Sequence, residues 1–344
     1  MRTLKLILLS MLVLFSAFTA FGGMRLHAFL GTPVTVADTG ATFEIASGTS
    51  FGGIAASLEQ RGIIAGARML RIYARWTGQA NLVQAGEYLI TPGTTPRELL
   101  QQFTRGAVRL YSFTLIEGWN RWDLLHALHQ QPELDASMTD EDWPALLESL
   151  SAATSHAEGL FLPETYYFPR NTSDRSVLRQ AYQMMQDVLA KEWANKSESA
   201  VVATPYEALI LASIIEKETA RSDERERIAG VFSRRLEKGM RLQTDPTVIY
   251  GLGQDFNGNL TRKDLQTPTP YNTYTRRGLP PTPIAMPGRA SIYAALHPAA
   301  GEEIFFVATG TGDGSHRFST TKEEHDQAVA AYLQQLKKNQ RNKD

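Results

Sequence analysis

The sequence predicts an α+β protein in three parts: one membrane-spanning helix at the amino terminus, a small α+β domain, and a larger mixed α/β domain with an apolar helix at its centre. Three observations carry this. Residues 6–24, LILLSMLVLFSAFTAFGGM, are apolar and uncharged. A strand, glycine turn and helix pattern recurs three times between residues 43 and 128. The run ALILASII at 208–215 is apolar all round apart from Ser213, as in a helix buried on every side. With 344 residues, 43% hydrophobic and 21% charged, the chain suits about two globular domains and not a polytopic membrane protein.

The apolar stretch covers about 28 Å as a helix, close to the ~30 Å hydrocarbon core of a bilayer. Arg2 and Lys5 precede it. By the positive-inside rule they hold that end in the cytoplasm and place the rest across the membrane. Ala20-Phe21-Gly22 is a small-x-small site of the kind signal peptidases cut, but the stretch is longer than the usual ~7–15 residue signal core, so an uncleaved anchor is expected. Residues 1–25 are thus read as cytoplasmic tip and anchor, and 26–42, with Gly31, Pro33 and Gly40, as a linker.

The three copies follow. Phe43-Glu44-Ile45 leads through Gly48 to a helix with Ile54 and Leu58. Tyr88-Leu89-Ile90 leads through Gly93 to one with Leu99, Leu100 and Phe103, and Phe113-Thr114-Leu115-Ile116 through Gly118 to one with Leu124, Leu125 and Leu128. Their unequal spacing excludes a solenoid array. Residues 43–108 form the small domain and 109–338 the large one. The latter closes with a hairpin around the glycines 310–314, then a helix over about 321–338, and residues 339–344 are a polar tail.

Charge and cysteine usage narrow the function. Net charge is −1, and without Arg2, Lys5 and Arg25 the remainder has 32 bases against 36 acids, which makes nucleic acid a poor partner. With no cysteine, disulfides, thiolate zinc sites and cysteine nucleophiles are excluded. His126 and His129 are spaced i,i+3 but have no third ligand at a useful spacing.

The buried helix ends in Glu216-Lys217-Glu218-Thr219. Acids at the end of such a helix are pushed toward a desolvated setting, which raises a carboxyl pKa and suits a proton donor near neutrality. Glu216 and Glu218 lie about 200° apart around a helix and cannot both face one cleft, so one is a candidate acid and the other structural. Lys217 and Arg221 are available as ion-pair partners, and two solvated helix-end acids remain the plain alternative. Ser222 reads as the N-cap of the next helix, with Asp223 and Glu224 in its first turn and Arg234, Arg235 and Lys238 in its last as dipole partners. Beyond it, LQTDPTVIY at 242–250, Tyr271-Asn272-Thr273-Tyr274 and Gly278-Leu279-Pro280-Pro281 offer hydrogen-bonding groups and rings on proline-stiffened loops, the combination sugars require.

These segments together, with SIIEKET at 213–219, closely resemble the endolytic murein transglycosylases, the YceG-like family. The resemblance implies a single-pass protein of the bacterial inner membrane, periplasmic for most of its length, with a LysM-like region at 43–108. It implies an enzyme that cuts the MurNAc-GlcNAc β-1,4 bond within nascent peptidoglycan strands and leaves 1,6-anhydroMurNAc ends, needing neither metal nor cofactor. It assigns the catalytic acid to Glu218, with Glu216 and Lys217 as structural neighbours. Gln243, Thr244, Asp245, Tyr250, Asn272 and Tyr274 are expected at the substrate, as are Glu158 and Glu164 of the Gly-Leu-Phe-Leu-Pro loop, with turn chemistry the alternative for Asp245 and Asn272. Partnership with penicillin-binding peptidoglycan synthases comes from the resemblance alone. The rival readings are a hydrolytic muramidase and a non-catalytic wall-binding scaffold.

Overall fold

The computed structural model describes residues 2–341, with side chains from Leu4 onward. Arg2's side chain and residues 342–344 of the expected tail lie outside the described residues. The chain divides into two compact units, residues 1–111 with 167–171 and residues 112–166 with 172–344.

Helix α1, Arg2–Gly31, is 30 residues, hence about 45 Å long. From Leu4 to Met24 its apolar side chains are open, Leu14 at 70% and Phe18 at 75%, so no protein face among the described residues covers them. It is long and apolar enough to cross a membrane. The helix does not stop where the linker is expected. Residues 26–31 continue it, because no helix breaker intervenes before Pro33 and because Phe29 and Leu30 have the core of the first unit to pack on. The Thr32 hydroxyl donates to the Ala28 carbonyl at 2.8 Å as the helix closes.

In this first unit β1 (Ala41–Ile45), α2 (Phe51–Gln60), α3 (Ala67–Trp76), β2 (Gly86–Ile90) and α4 (Pro96–Arg105) follow in order. The strands pair antiparallel, with Ala41 opposite Ile90 and Ile45 opposite Gly86. Phe43 and Tyr88 therefore project from the same face and meet Phe103 of α4, at ring separations of 6.0 and 4.7 Å. Leu58, Leu70, Ile90, Leu99 and Leu100 complete a fully buried core. A capping box fixes the start of α4: Thr95 accepts from the Glu98 N–H, and Glu98 accepts from the Thr95 N–H at 2.9 Å.

β3 (Leu110–Thr114) pairs with β5 (Thr165–Pro169), each strand having residues in both units, and between them the second unit holds α5 (Arg121–His129), β4 (Leu134–Asp135) and α6 (Trp143–Ser149). β6 (Thr172–Ser173), parallel to β4, leads into α7 (Asp174–Ala194). Then come α8 (Pro205–Glu218), α9 (Arg225–Glu237), α10 (Asp245–Leu252), α11 (Arg262–Gln266), α12 (Arg289–Leu296), the hairpin β7 (Phe305–Ala308) and β8 (His316–Ser319), and α13 (Lys322–Arg341). α8 is the hub, with α7, α9, α10 and α12 packed around it. Residues 208–215 are all buried. Ala208 and Ala212 of α8 and Ser291, Ala294 and Ala295 of α12 are small and buried, which lets helices pack closely. Ser213, the lone polar residue of the run, accepts the Ile284 N–H at 3.0 Å and donates to Ile210, anchoring the proline-rich loop to the hub.

The start of α9 departs from the sequence expectation. Its first residue is Arg225 and its N-cap Glu224, not Ser222. The Ser222 segment is a turn, and Glu224 accepts from the His316 N–H and pairs with its Nδ1 at 2.7 Å.

Candidate active site

Thr204 caps α8 by accepting the Glu207 N–H, and Pro205 follows at its first turn. The helix ends because Thr219 is extended, φ −146° and ψ 136°, with its hydroxyl turned back to accept the Arg221 N–H at 3.0 Å. Glu218 is thus the last helical residue. A carboxylate there faces the negative end of the helix dipole, which disfavours its charge. Part of the side chain remains open, but the protein crowds the carboxyl and burial raises its pKa. The hydrogen bond that the Thr244 hydroxyl donates to Oε1 opposes the shift, Asp245 adds to it, and His316 and Arg235 oppose it.

Thr244 is itself positioned closely. Its N–H donates to Thr273 Oγ1 at 3.1 Å, and its carbonyl accepts from Thr247, whose hydroxyl also meets Thr273 at 2.9 Å. Gln243, just before it, is a non-glycine residue at φ +52°, held by its N–H bond to the Thr273 carbonyl, with an exposed side chain. A non-glycine residue in this region carries a backbone cost, which the bonds from the Gln243 and Thr244 N–H groups to Thr273 hold in place. Asp245 opens α10 and accepts the Tyr274 hydroxyl at 2.5 Å. Burial pushes the Tyr274 phenol well above its usual range, so it stays a donor.

Arg235 is the residue that sequence reasoning missed. Listed among last-turn charges it looks like a dipole partner, yet it is buried, donating to the carbonyls of Leu242 at 2.5 Å and Ile304 at 2.7 Å. Its position gives the signal: Ile228, Phe232 and Arg235 follow i, i+4, i+7, the buried face of α9. The guanidinium fixes the loop that carries Thr244 and lends positive charge to Glu218.

Glu216 faces elsewhere, as its angular separation from Glu218 requires. It accepts the Gly288 N–H at 2.9 Å and lies 3.6 Å from Arg225. Arg225 also lies 3.9 Å from Glu117, whose carboxyl is raised by burial and by the Glu216 charge. Glu117 packs over the open space that Gly288 leaves at the start of α12. Lys217 donates to the Gly118 carbonyl at 3.1 Å. Both residues thus tie α8 to its neighbours.

The remaining expected residues separate. Asn272 is buried and its amide is consumed by the loop: Nδ2 donates to the carbonyls of Asp264, Leu265 and Thr267, and Oδ1 accepts the Tyr274 N–H. It shapes the loop and holds the Tyr274 backbone. Glu158 and Tyr250 come together beside α5. Glu164 is exposed and accepts the N–H of its neighbour Thr165 at 3.1 Å. Of the two histidines, His129 bonds the Met138 carbonyl and His126 bonds Gln130, so they face separate partners.

A model of the YceG-like family matches residues 43–331. The chain belongs to the YceG-like family. It is similar to the endolytic murein transglycosylase of Bacillus subtilis strain 168, 31% identical over 313 residues that cover 86% of this chain and 85% of that protein. It is 27% identical over 325 residues to the endolytic murein transglycosylase of Streptococcus pneumoniae serotype 2 strain D39, covering 85% of this chain and 58% of that protein. Among solved structures, a YceG-like protein of Listeria monocytogenes aligns with a TM-score of 0.51 and 29% identity, over 85% of this chain and 99% of that one. The YceG-like match spans every residue described above as touching or positioning Glu218.

Proposed function

We propose that this chain is an endolytic peptidoglycan lytic transglycosylase in which Glu218 is the sole acid and base. The observation that carries the reading is a crowded carboxyl at the end of a buried helix, with a raised pKa and one oxygen held by Thr244. The other oxygen carries the proton. Glu218 gives it to the glycosidic oxygen between N-acetylmuramic acid and N-acetylglucosamine as the bond to C1 breaks. The muramyl C6 oxygen closes on C1, and its proton passes to the carboxylate, which restores the acid. An intramolecular nucleophile supplies the proximity that other glycosidases obtain from a second carboxylate and a bound water. Thr244 and Arg235 stabilise the transient carboxylate, while Asp245 and Tyr274 line its approach.

One observation favours a second reading. Asp245 lies close enough to Glu218 to act on its pKa, and a second carboxylate could activate water and give hydrolysis. Products separate the two. Digestion of sacculi and mass analysis give anhydro ends for the transglycosylase and reducing ends, heavier by one water, for the muramidase. Glu218→Gln abolishes both while the fold persists, and substantial residual cleavage would show that the wrong acid has been chosen.

α1 is the anchor in this reading, with Lys5 on the cytoplasmic side and the remainder facing the wall in the periplasm. The first unit, with a helix pair between two antiparallel strands, takes the LysM-like wall-binding role. The 27–31% identity to named murein transglycosylases supports the substrate class. Partnership with penicillin-binding synthases belongs to the same proposal and is tested by co-purification of the full chain from membranes.

A further inference from the structure

Two hollows in the second unit share one wall of aromatic rings. The larger, about 690 Å³, is lined by Lys217 at the end of α8 and by Pro246 and Ile249 of α10. The smaller, about 430 Å³, is bounded by Arg121, Trp143, Glu158 and Tyr271. Trp122 and Tyr250 belong to both. Their ring centres are 5.8 Å apart at a 38° tilt, and Tyr250 meets Tyr271 edge-on at 4.9 Å. Both rings remain partly open.

Under this wall lies Glu158, only 1% exposed. Its Oε2 accepts the Arg121 N–H at 3.2 Å, and its Oε1 has no hydrogen-bond partner among the described residues. Burial pushes its carboxyl up to about 7, against the Arg121 N–H and the Tyr250 hydroxyl, which favour the charged form. Burial and Glu158 in turn push the Tyr250 phenol far above its usual range. The charged or titratable groups facing Glu158 are Arg121 and Asp123 on α5, Tyr206 on α8 and Tyr250 on α10. The result is flat rings with polar edges above a buried carboxyl, with the Arg121 guanidinium 4.5 Å from the centre of the Trp122 ring, and rings together with hydrogen-bonding groups suit the C–H face and hydroxyls of a sugar.

We propose that the Trp122–Tyr250 pair is a distal subsite that stacks one β-1,4-linked N-acetylhexosamine ring of the glycan strand, with Glu158, buried in the same lining, as the positioning residue of its floor. The proposal rests on the function proposed above. Asp245 and Tyr250 lie on the same helix, about 7.5 Å apart along its axis and about 140° apart around it, so the pair is a subsite separate from the Glu218 position.

The test uses the full-length chain in detergent carrying Glu218→Gln, with chitotetraose as the probe and calorimetry as the readout. Trp122→Ala or Tyr250→Ala weakens binding tenfold or more, Trp122→Phe restores it to within about threefold, and Glu158→Gln leaves it within threefold while Glu158→Ala does not. In the chain with Glu218 intact, Trp122→Ala raises KM on glycan strands tenfold with kcat within twofold, a split that general unfolding does not produce. The subsite is refuted if the two alanine variants bind chitotetraose like their parent, if the parent does not bind it, or if kcat falls while KM holds. Failure of the enzymatic reading is separate, because it appears as cleavage surviving Glu218→Gln.

Discussion

Glu158→Gln isolates the cost of keeping an acid buried in the second unit. The amide keeps an oxygen for the Arg121 N–H at 3.2 Å and the shape of the carboxyl, but does not titrate. In the wild type, folding moves this carboxyl from 4.5 to about 7, chiefly by desolvation. The folded state therefore holds the proton more tightly than the unfolded state. Below about 4.5 both states are protonated and the acid carries no ionic penalty. Between 4.5 and 7 the unfolded chain ionises first and stability falls as pH rises, and above about 7 the full penalty is present. At about 1.4 kcal/mol per tenfold change in acidity, the full effect is about 3 kcal/mol. Relative to wild type, Glu158→Gln gains that stability as pH rises from 4.5 to 8. At 2–4 °C per kcal/mol for a unit of this size, the Tm difference grows by about 6–12 °C. Thermal unfolding in detergent, followed by circular dichroism at pH 4.5, 6 and 8, measures it. A Tm difference that stays constant with pH, or shrinks as pH rises, refutes the buried neutral acid.

Thr244→Val removes the hydroxyl that favours the Glu218 carboxylate, so the basic limb of the pH–rate profile moves to higher pH and kcat falls. A profile measured on glycan strands that stays in place would count against the Thr244 contact. Gly159 sits at φ +77°, with Pro283 only 2.4 Å from where a Cβ would be. Gly159→Ala therefore costs about 2–3 kcal/mol in chemical denaturation. Ser213→Ala leaves the Ile284 N–H unpaired inside the core and costs about 1–3 kcal/mol in the same assay, with KM rising if the proline-rich loop shapes the cleft.

The hub helix is legible because ALILASII permits no exposed face, and the β7–β8 hairpin because Gly310, Gly312 and Gly314, all at positive φ, announce the turn between its strands. The separation of Glu216 from Glu218 follows from helix geometry alone. Arg235 escapes because arginine in a last turn satisfies the dipole rule equally well when exposed, and only its register with Ile228 and Phe232 marks it as buried. Asn272 takes the turn-chemistry alternative for a related reason. An asparagine among tyrosines and threonines reads as a sugar contact, while its amide closes a loop through three carbonyls contributed from outside its own motif. The extension of α1 to Gly31 is hidden because a helix end depends on what the last turns pack against, here the core around Phe29 and Leu30. The start of α9 shifts because Glu224 has a partner, His316, distant in sequence.

Because α1 passes without a break into the first unit and seats Leu30 in its core, the proposed anchor would hold that unit like a lamp on a rigid post rather than by a string. Its height above the lipid is then a matter of counting helical turns. A single proline introduced near residue 26 would turn the post into a hinge, while inserting one full turn would lift the unit by about 5.4 Å.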